Sequence, residues 1–124
     1  MIKVVVGGQI SKQEIADLIC KLAGEKMEVV IKSDLDAAMD VQNGLVDYYF
    51  GACNTGGGGA LAMAIALAGA EKCATVSMPG TIKSNEEIID EVKKGKVAFG
   101  FTAQHIEQVV PVIVQAILNE GGEN

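Results

Sequence analysis

One stretch constrains this chain more than any other: residues 47–69, DYYFGACNTGGGGALAMAIALAG. Its opening run, Tyr48-Tyr49-Phe50, suits a buried strand. It passes through Cys53-Asn54-Thr55 into four consecutive glycines, Gly56, Gly57, Gly58 and Gly59, and then into a small-residue, helix-favouring run over residues 60–68. Strand, glycine turn and helix in that order aim free backbone N–H groups at an anion or a polar ligand. Four adjacent glycines lose much backbone entropy on folding, so a plain linker is a poor explanation inside so apolar a segment. The competing reading is a tight turn in which the glycines only permit close packing. No Lys-Ser/Thr pair follows them, and no GxGxxG spacing marks the first strand and turn, so neither a P-loop nor a dinucleotide site is indicated.

The flanking sequence alternates between strand and helix signals. Residues 2–6 read as a buried strand ending at Gly7-Gly8-Gln9. Ser11 to Glu14 form a capping box that starts a helix with Ile15, Leu18, Ile19 and Leu22 on one face, and Gly24 stops it. Residues 27–32 are the second strand, and Ser33 or Asp34 caps a helix over residues 35–41. The third and fourth strands cover residues 46–52 and 72–78, with a turn at Met78-Pro79-Gly80. A second capping box, Ser84 to Glu87, opens a helix carrying Ile88, Ile89 and Val92 that ends at Gly95. The fifth strand spans residues 96–101, and Thr102 caps a last helix over residues 103–119, bent at Pro111.

Five strands alternating with five helices over short connections imply an α/β domain. We expect a three-layer, doubly wound five-stranded parallel sheet, flavodoxin-like or Rossmann-like, with strand order 2-1-3-4-5. One domain covers residues 1–120, and residues 121–124 read as a frayed tail. Ligands of open parallel sheets bind beyond the carboxyl ends of the strands. That edge collects Gly7-Gly8-Gln9, Ser33-Asp34, Cys53-Asn54-Thr55 with the glycines, Pro79-Gly80-Thr81 and residues 102–105.

Composition narrows the chemistry. The chain has 124 residues, is 49% hydrophobic and only 4% aromatic, so its core is aliphatic and built from small residues. Its net charge is −6 and all ten basic residues are lysine. That disfavours nucleic acid as a partner and leaves any anion to backbone amides and lysine. Three cysteines (Cys20, Cys53, Cys73) without CxxC spacing, and one histidine, indicate neither a zinc site nor any other metal, and no cofactor is expected. The longest uninterrupted apolar run, residues 60–70, is too short to cross a bilayer. No basic-then-apolar leader precedes the first strand, so a reducing cytoplasm is the expected location. Small size and apolar character point to a homo-oligomer.

Cys53 and His105 are the candidate catalytic groups. Cys53 ends a strand ahead of a helix N-terminus, where the dipole favours thiolate, a base or nucleophile; it reads equally well as a buried packing residue. His105, in the first turn of the last helix, suits a neutral donor or proton shuttle, or is simply exposed. Candidate ligand-binding positions are Gly8, Gln9, Asn54, Thr55, Gly56, Gly57, Gly58, Lys83 and Thr102. Asn54 and Thr55 can bond ligand hydroxyls or only cap the helix. Lys83 is a cation near the fourth strand, or a solvated side chain.

Three segments carry a resemblance: IKVVVGGQISKQEIA, DYYFGACNTGGGGALAMAIAL and KVAFGFTAQHIEQVVP. Through them the whole chain resembles the YhfU-like family of small bacterial proteins, whose context the resemblance suggests is gene clusters with a transporter and metabolic enzymes. A narrower resemblance is to sugar-phosphate isomerases of the ribose-phosphate isomerase B and galactose-6-phosphate isomerase type. These carry a cysteine-glycine-threonine-glycine turn after the third strand, and the cysteine moves the substrate proton. Only Cys53, Thr55 and Gly56 match that turn. The family's Asp-His pair after strand one is replaced by Gly8-Gln9, and its phosphate-binding arginines are absent. Two functions follow as expectations: a binding or accessory protein for an anionic or sugar-like metabolite, or an isomerase-like proton-transfer enzyme using Cys53.

Overall fold

The apolar runs between turn signals form strands, and the amphipathic runs form the helices that cover them. A computed structural model of the chain describes residues 1–54 and 57–120. In order, the elements are β1 (Ile2–Gly8), α1 (Lys12–Ala23), β2 (Met27–Ile31), α2 (Asp34–Gln42), β3 (Tyr48–Cys53) and α3 (Gly57–Ala68). There follow β4 (Cys73–Thr75), β5 (Ser77–Met78), β6 (Thr81–Ile82), α4 (Asn85–Lys93), β7 (Ala98–Thr102) and α5 (Ile106–Glu120). Thr55, Gly56 and residues 121–124 lie outside the described residues.

Five strands make one sheet in the order β2-β1-β3-β7-β4, and every pairing in it is parallel. The expected class, a doubly wound parallel sheet between two helical layers, is what the chain adopts. The expected order 2-1-3-4-5 gives way at one edge, where the fifth strand of this sheet, β7, lies between β3 and β4. β7 is buried along its whole length, whereas β4 is three residues long, and only a strand without polar surface on either face suits the interior of a parallel sheet. The residues from 72 to 78, read as one strand, are interrupted at Val76; β5 then pairs antiparallel with β6 as a separate ribbon.

Crossover handedness sets the layers. With right-handed connections, stepping one way along the sheet puts the helix on one face, and stepping back puts it on the other. The chain steps outward from β1 to β2 through α1, back past β1 to β3 and on to β4 through α2 and α3, then returns to β7 through α4. Hence α1 and α4 share one face, where α5 packs against both, and α2 with α3 take the other. The alternation of each strand divides the core accordingly. Val4, Val6, Phe50, Ala52, Phe99 and Phe101 pack under α1, α4 and α5, while Val5, Tyr49 and Ala98 pack with Ala37, Leu61 and Ala64 of α2 and α3. Each large side chain so buried contributes about 1.5–3 kcal/mol relative to its exposed state.

Three local expectations are corrected. Ser11 does not cap α1: it sits at φ +59°, in the left-handed region, and makes no side-chain cap hydrogen bond. A capping serine needs an extended backbone to turn its hydroxyl onto the first helical turn. Thr102 does not cap the last helix either; it is the final residue of β7, followed by a 3-10 turn, Ala103–His105. The glycine run is not a turn that precedes its helix at residue 60, because α3 already begins at Gly57. The second capping box is present in both directions, Glu87 N–H to Ser84 Oγ and Ser84 N–H to Glu87 Oε1.

Candidate functional site

Adjacent strands β1, β3 and β7 send their chains to opposite faces in turn: β1 into α1, β3 into α3, β7 into α5. In doubly wound sheets such a reversal marks the position, beyond the carboxyl end of the strand, where ligands bind. Cys53 ends β3 there. Its side chain shares a face with Tyr49, the α3 face, by strand alternation. The chain after β1 folds over this end, with Gln9 N–H donating to Ala52 O at 2.9 Å. Gln9, Cys53 and the first turn of α3 then meet at Gly59. A methyl group on Gly59 would lie 3.1 Å from Cys53 Sγ and 3.3 Å from both Gln9 Nε2 and Oε1. Glycine is what lets the helix come down on the thiol.

The electrostatics of this helix end are distinctive. The first N–H groups of a helix have no partner within it and carry its positive end. α1, α2, α4 and α5 each place an acidic residue in their first turn, namely Glu14, Asp34 with Asp36, Glu86 with Glu87, and Glu107. α3 has none.

Thr102 lies beside Cys53 as its partner on β7. In β7, Ala98 packs with α3 and Gly100 lies beneath Leu61, so Thr102, two residues on, points into the same layer. It is 1% exposed, and its hydroxyl has no hydrogen-bond partner among the described residues. Its backbone N–H donates to Ser77 Oγ at 3.0 Å, which brings a third buried side chain to the same edge.

Of the other candidates, Asn54 is exposed at the bend after Cys53. Thr55 and Gly56 lie outside the described residues, and Gly57 and Gly58 are the first two residues of α3. Gly8 is at φ +76°, and a side chain there would strike Ala52 N at 2.7 Å. Its N–H donates to Asp34 Oδ1 at 3.1 Å. His105 closes the 3-10 turn three residues after Thr102, half-buried, with an Nδ1 that has no hydrogen-bond partner among the described residues. Lys83 is not gathered into this group: its backbone N–H donates to Val76 O and its ammonium lies 4.0 Å from Glu91.

Sequence reasoning missed the role of Asp34 and Tyr49. Asp34 opens α2 after the Ser33 cap, but its carboxylate turns back to the sheet and accepts from Gly8 N–H and from Tyr49 OH at 2.5 Å. The same phenol lies 2.9 Å from Ala60 O of α3. Burial, then the bond to Asp34, pushes the Tyr49 pKa far up, so the phenol stays protonated. No local signal marks these contacts, because the partners are 15 and 11 residues away in sequence. The other cysteines are apart from the site: Cys20 is exposed on α1, and Cys73 starts β4, its thiol raised by burial and donating to Gly69 O. Among the described residues no group of three or more His, Cys, Asp or Glu is placed to hold a metal ion. No described helix is long and apolar enough to cross a membrane.

Fold and site together define a class: a doubly wound parallel α/β domain with its candidate site at the carboxyl edge, against a helix that starts in glycine. Within that class the chain belongs to the family described as "Protein of unknown function DUF2620", whose model matches residues 2–117. It is 41% identical over 114 residues to "Uncharacterized protein YhfU" of Escherichia coli (strain K12), covering 92% of this chain and 97% of that one. The protein of the same name from Shigella flexneri matches to the same extent. No solved structure matches the chain at a significant level. The family resemblance read from the three segments is thus shown, and the chemistry has to be argued from the site.

Proposed function

We propose that the protein is a binding or accessory protein that holds an anionic or sugar-like metabolite over the N-terminus of α3, in a role within carbohydrate metabolism. The observation that carries this reading is the meeting of Gln9, Cys53 and Gly59 at a helix end with no acid of its own. Amides of the first turn take the charge; the Gln9 carboxamide and Asn54 take ligand hydroxyls. Thr55 and Gly56 belong to the same proposed cradle. Without arginine, charge-assisted amide bonds of about 1.5–3 kcal/mol each carry the anion, which places a ligand held by a few of them in the micromolar to millimolar range.

Thermal denaturation against sugars, sugar phosphates, nucleotides and carboxylates tests this. A ligand of the right class at about 100 times its Kd adds about 2.7 kcal/mol of stability, and Gln9→Ala removes most of that gain. The reading fails if none of these classes raises the melting temperature even at millimolar concentration.

The second reading is an isomerase-like enzyme in which Cys53 thiolate takes a proton from the carbon beside a carbonyl and returns it to the neighbouring carbon, with His105 or Thr55 assisting. Its supporting observation is the nearness of Sγ to the first turn of α3. Cys53 is 1% exposed, however, which favours binding over reaction. Cys53→Ser separates the two: ligand stabilisation retained supports binding, whereas isomerisation of a sugar phosphate by the wild type and not by the variant supports the enzyme.

A further inference from the structure

No charged residue stands between Asp47 and Glu71, and α3 occupies half of that interval. A helix apolar on all sides belongs in an interior, yet α3 has one only on its inner side. Ala60, Leu61 and Ala64 are buried against the sheet, while Ala62, Met63, Ile65 and Ala66 are exposed. Met63 and Ile65 each keep 40% of their surface in water. α2 extends the same face. Its Asp40 turns to Lys32, 2.6 Å away at the β2 side. Leu35 and Met39, one turn apart, lie on the outward side of α2, and α3 packs beside that helix. These two are 50% and 41% exposed.

We infer that this α2–α3 face docks a second copy of the chain about a twofold axis, independently of any ligand at the carboxyl edge. Area and charge identify the occupant. The six outward side chains leave roughly 400 Å² of apolar surface in one patch, as large as monomeric proteins ordinarily show. Set against itself, the patch buries about 800 Å² of apolar core. A polar rim around that core is what brings such a contact to the ~1,000 Å² that a specific interface needs. A chain of net charge −6 repels its own copy over most of its surface. An isologous contact centred on α3 sets uncharged helix on uncharged helix and leaves Asp36, the exposed acid of α2, to the rim. A partner chosen by charge would find nothing on α3 to recognise. Between Met63 and Ile65, the small Ala62 and Ala66 one turn apart leave a groove in which the ridges of the second α3 can seat.

Sedimentation equilibrium of the full chain is expected to give twice the 12.9 kDa monomer mass. Met63→Glu and Ala66→Glu should each yield a monomer with an unchanged far-ultraviolet circular dichroism spectrum. Leu22→Glu, on exposed α1 surface, should leave the dimer intact. If a glutamate variant fails to fold, Ala66→Cys in a Cys20→Ser background should be captured as a covalent dimer by a short bismaleimide. A monomeric wild type overturns the inference. So do glutamate variants that fold and stay dimeric, a dimer dissociated only by Val112→Glu in the groove between α4 and α5, or an Ala66→Cys protein recovered wholly uncross-linked.

Discussion

Tyr49 shows how much one side chain can hold. Its phenol reaches Asp34 at the start of α2 and Ala60 in the first turn of α3, so one hydroxyl ties both helices of a layer to β3. Tyr49→Phe removes a part-buried bond to a carboxylate and should cost about 1.5–3 kcal/mol in urea denaturation. The same residue sets a pH dependence. Because burial and Asp34 raise the folded pKa above the ordinary 10.0, the unfolded phenol loses its proton first. Its contribution is complete below about pH 10 and falls as pH rises beyond, by up to about 1.4 kcal/mol per pH unit. Burial raises the Cys73 thiol above its ordinary 9.0 and acts in the same direction. Tyr49→Phe should flatten the alkaline limb of a stability–pH curve; a limb of unchanged steepness would mean that the phenol ionises equally in both states. None of this is visible in the sequence, where Tyr49 reads as a strand former and Asp34 as a cap. Cys53, Gln9 and Thr102 were legible as candidates because each ends a strand or begins the turn after one, and topology brings those ends to one edge.

At the scale of elements, two Ser-x-x-Glu segments with one local signature behave differently. Ser84 and Glu87 exchange both bonds of a capping box, whereas Ser11 is held left-handed by the chain that folds Gln9 and Ile10 back over β3. Ser84→Ala should therefore lower stability by about 0.5–2 kcal/mol, with Ser11→Ala near neutral, in paired thermal melts. Equal losses would show that Ser11 caps α1 in solution. α3 carries the same lesson in reverse. Its glycines read as a turn because glycine disfavours helix, but Gly59 is helical where the helix must approach Cys53 Sγ and the Gln9 side chain. Tertiary contact overrides propensity at the place where space is shortest.

Across the whole molecule, the arrangement of strands predicts the order in which they open. β3 and β7 lie at the centre with both faces covered, while β2 has only β1 beside it and leaves Val30 and Ile31 exposed. Hydrogen exchange should be slowest at the amides of Phe50, Ala52, Phe99 and Phe101, and β2 should exchange well before them, by smaller openings than global unfolding. Comparable protection in β2 and β3 would mean that the β2 edge is covered in solution.

The residues alone determined that this chain is a parallel α/β domain, where its main strands and helices fall, and which strand ends share the carboxyl edge. Periodicity and turn chemistry are local, and the parallel rule follows from the short connections between alternating elements. Only the tertiary structure decided that β7 slips between β3 and β4, that α3 starts within the glycines, and that Asp34 and Tyr49 close the layer beneath the site. Those outcomes rest on which surfaces pack together once the chain has folded, and contacts between residues far apart in sequence leave no periodic trace in it.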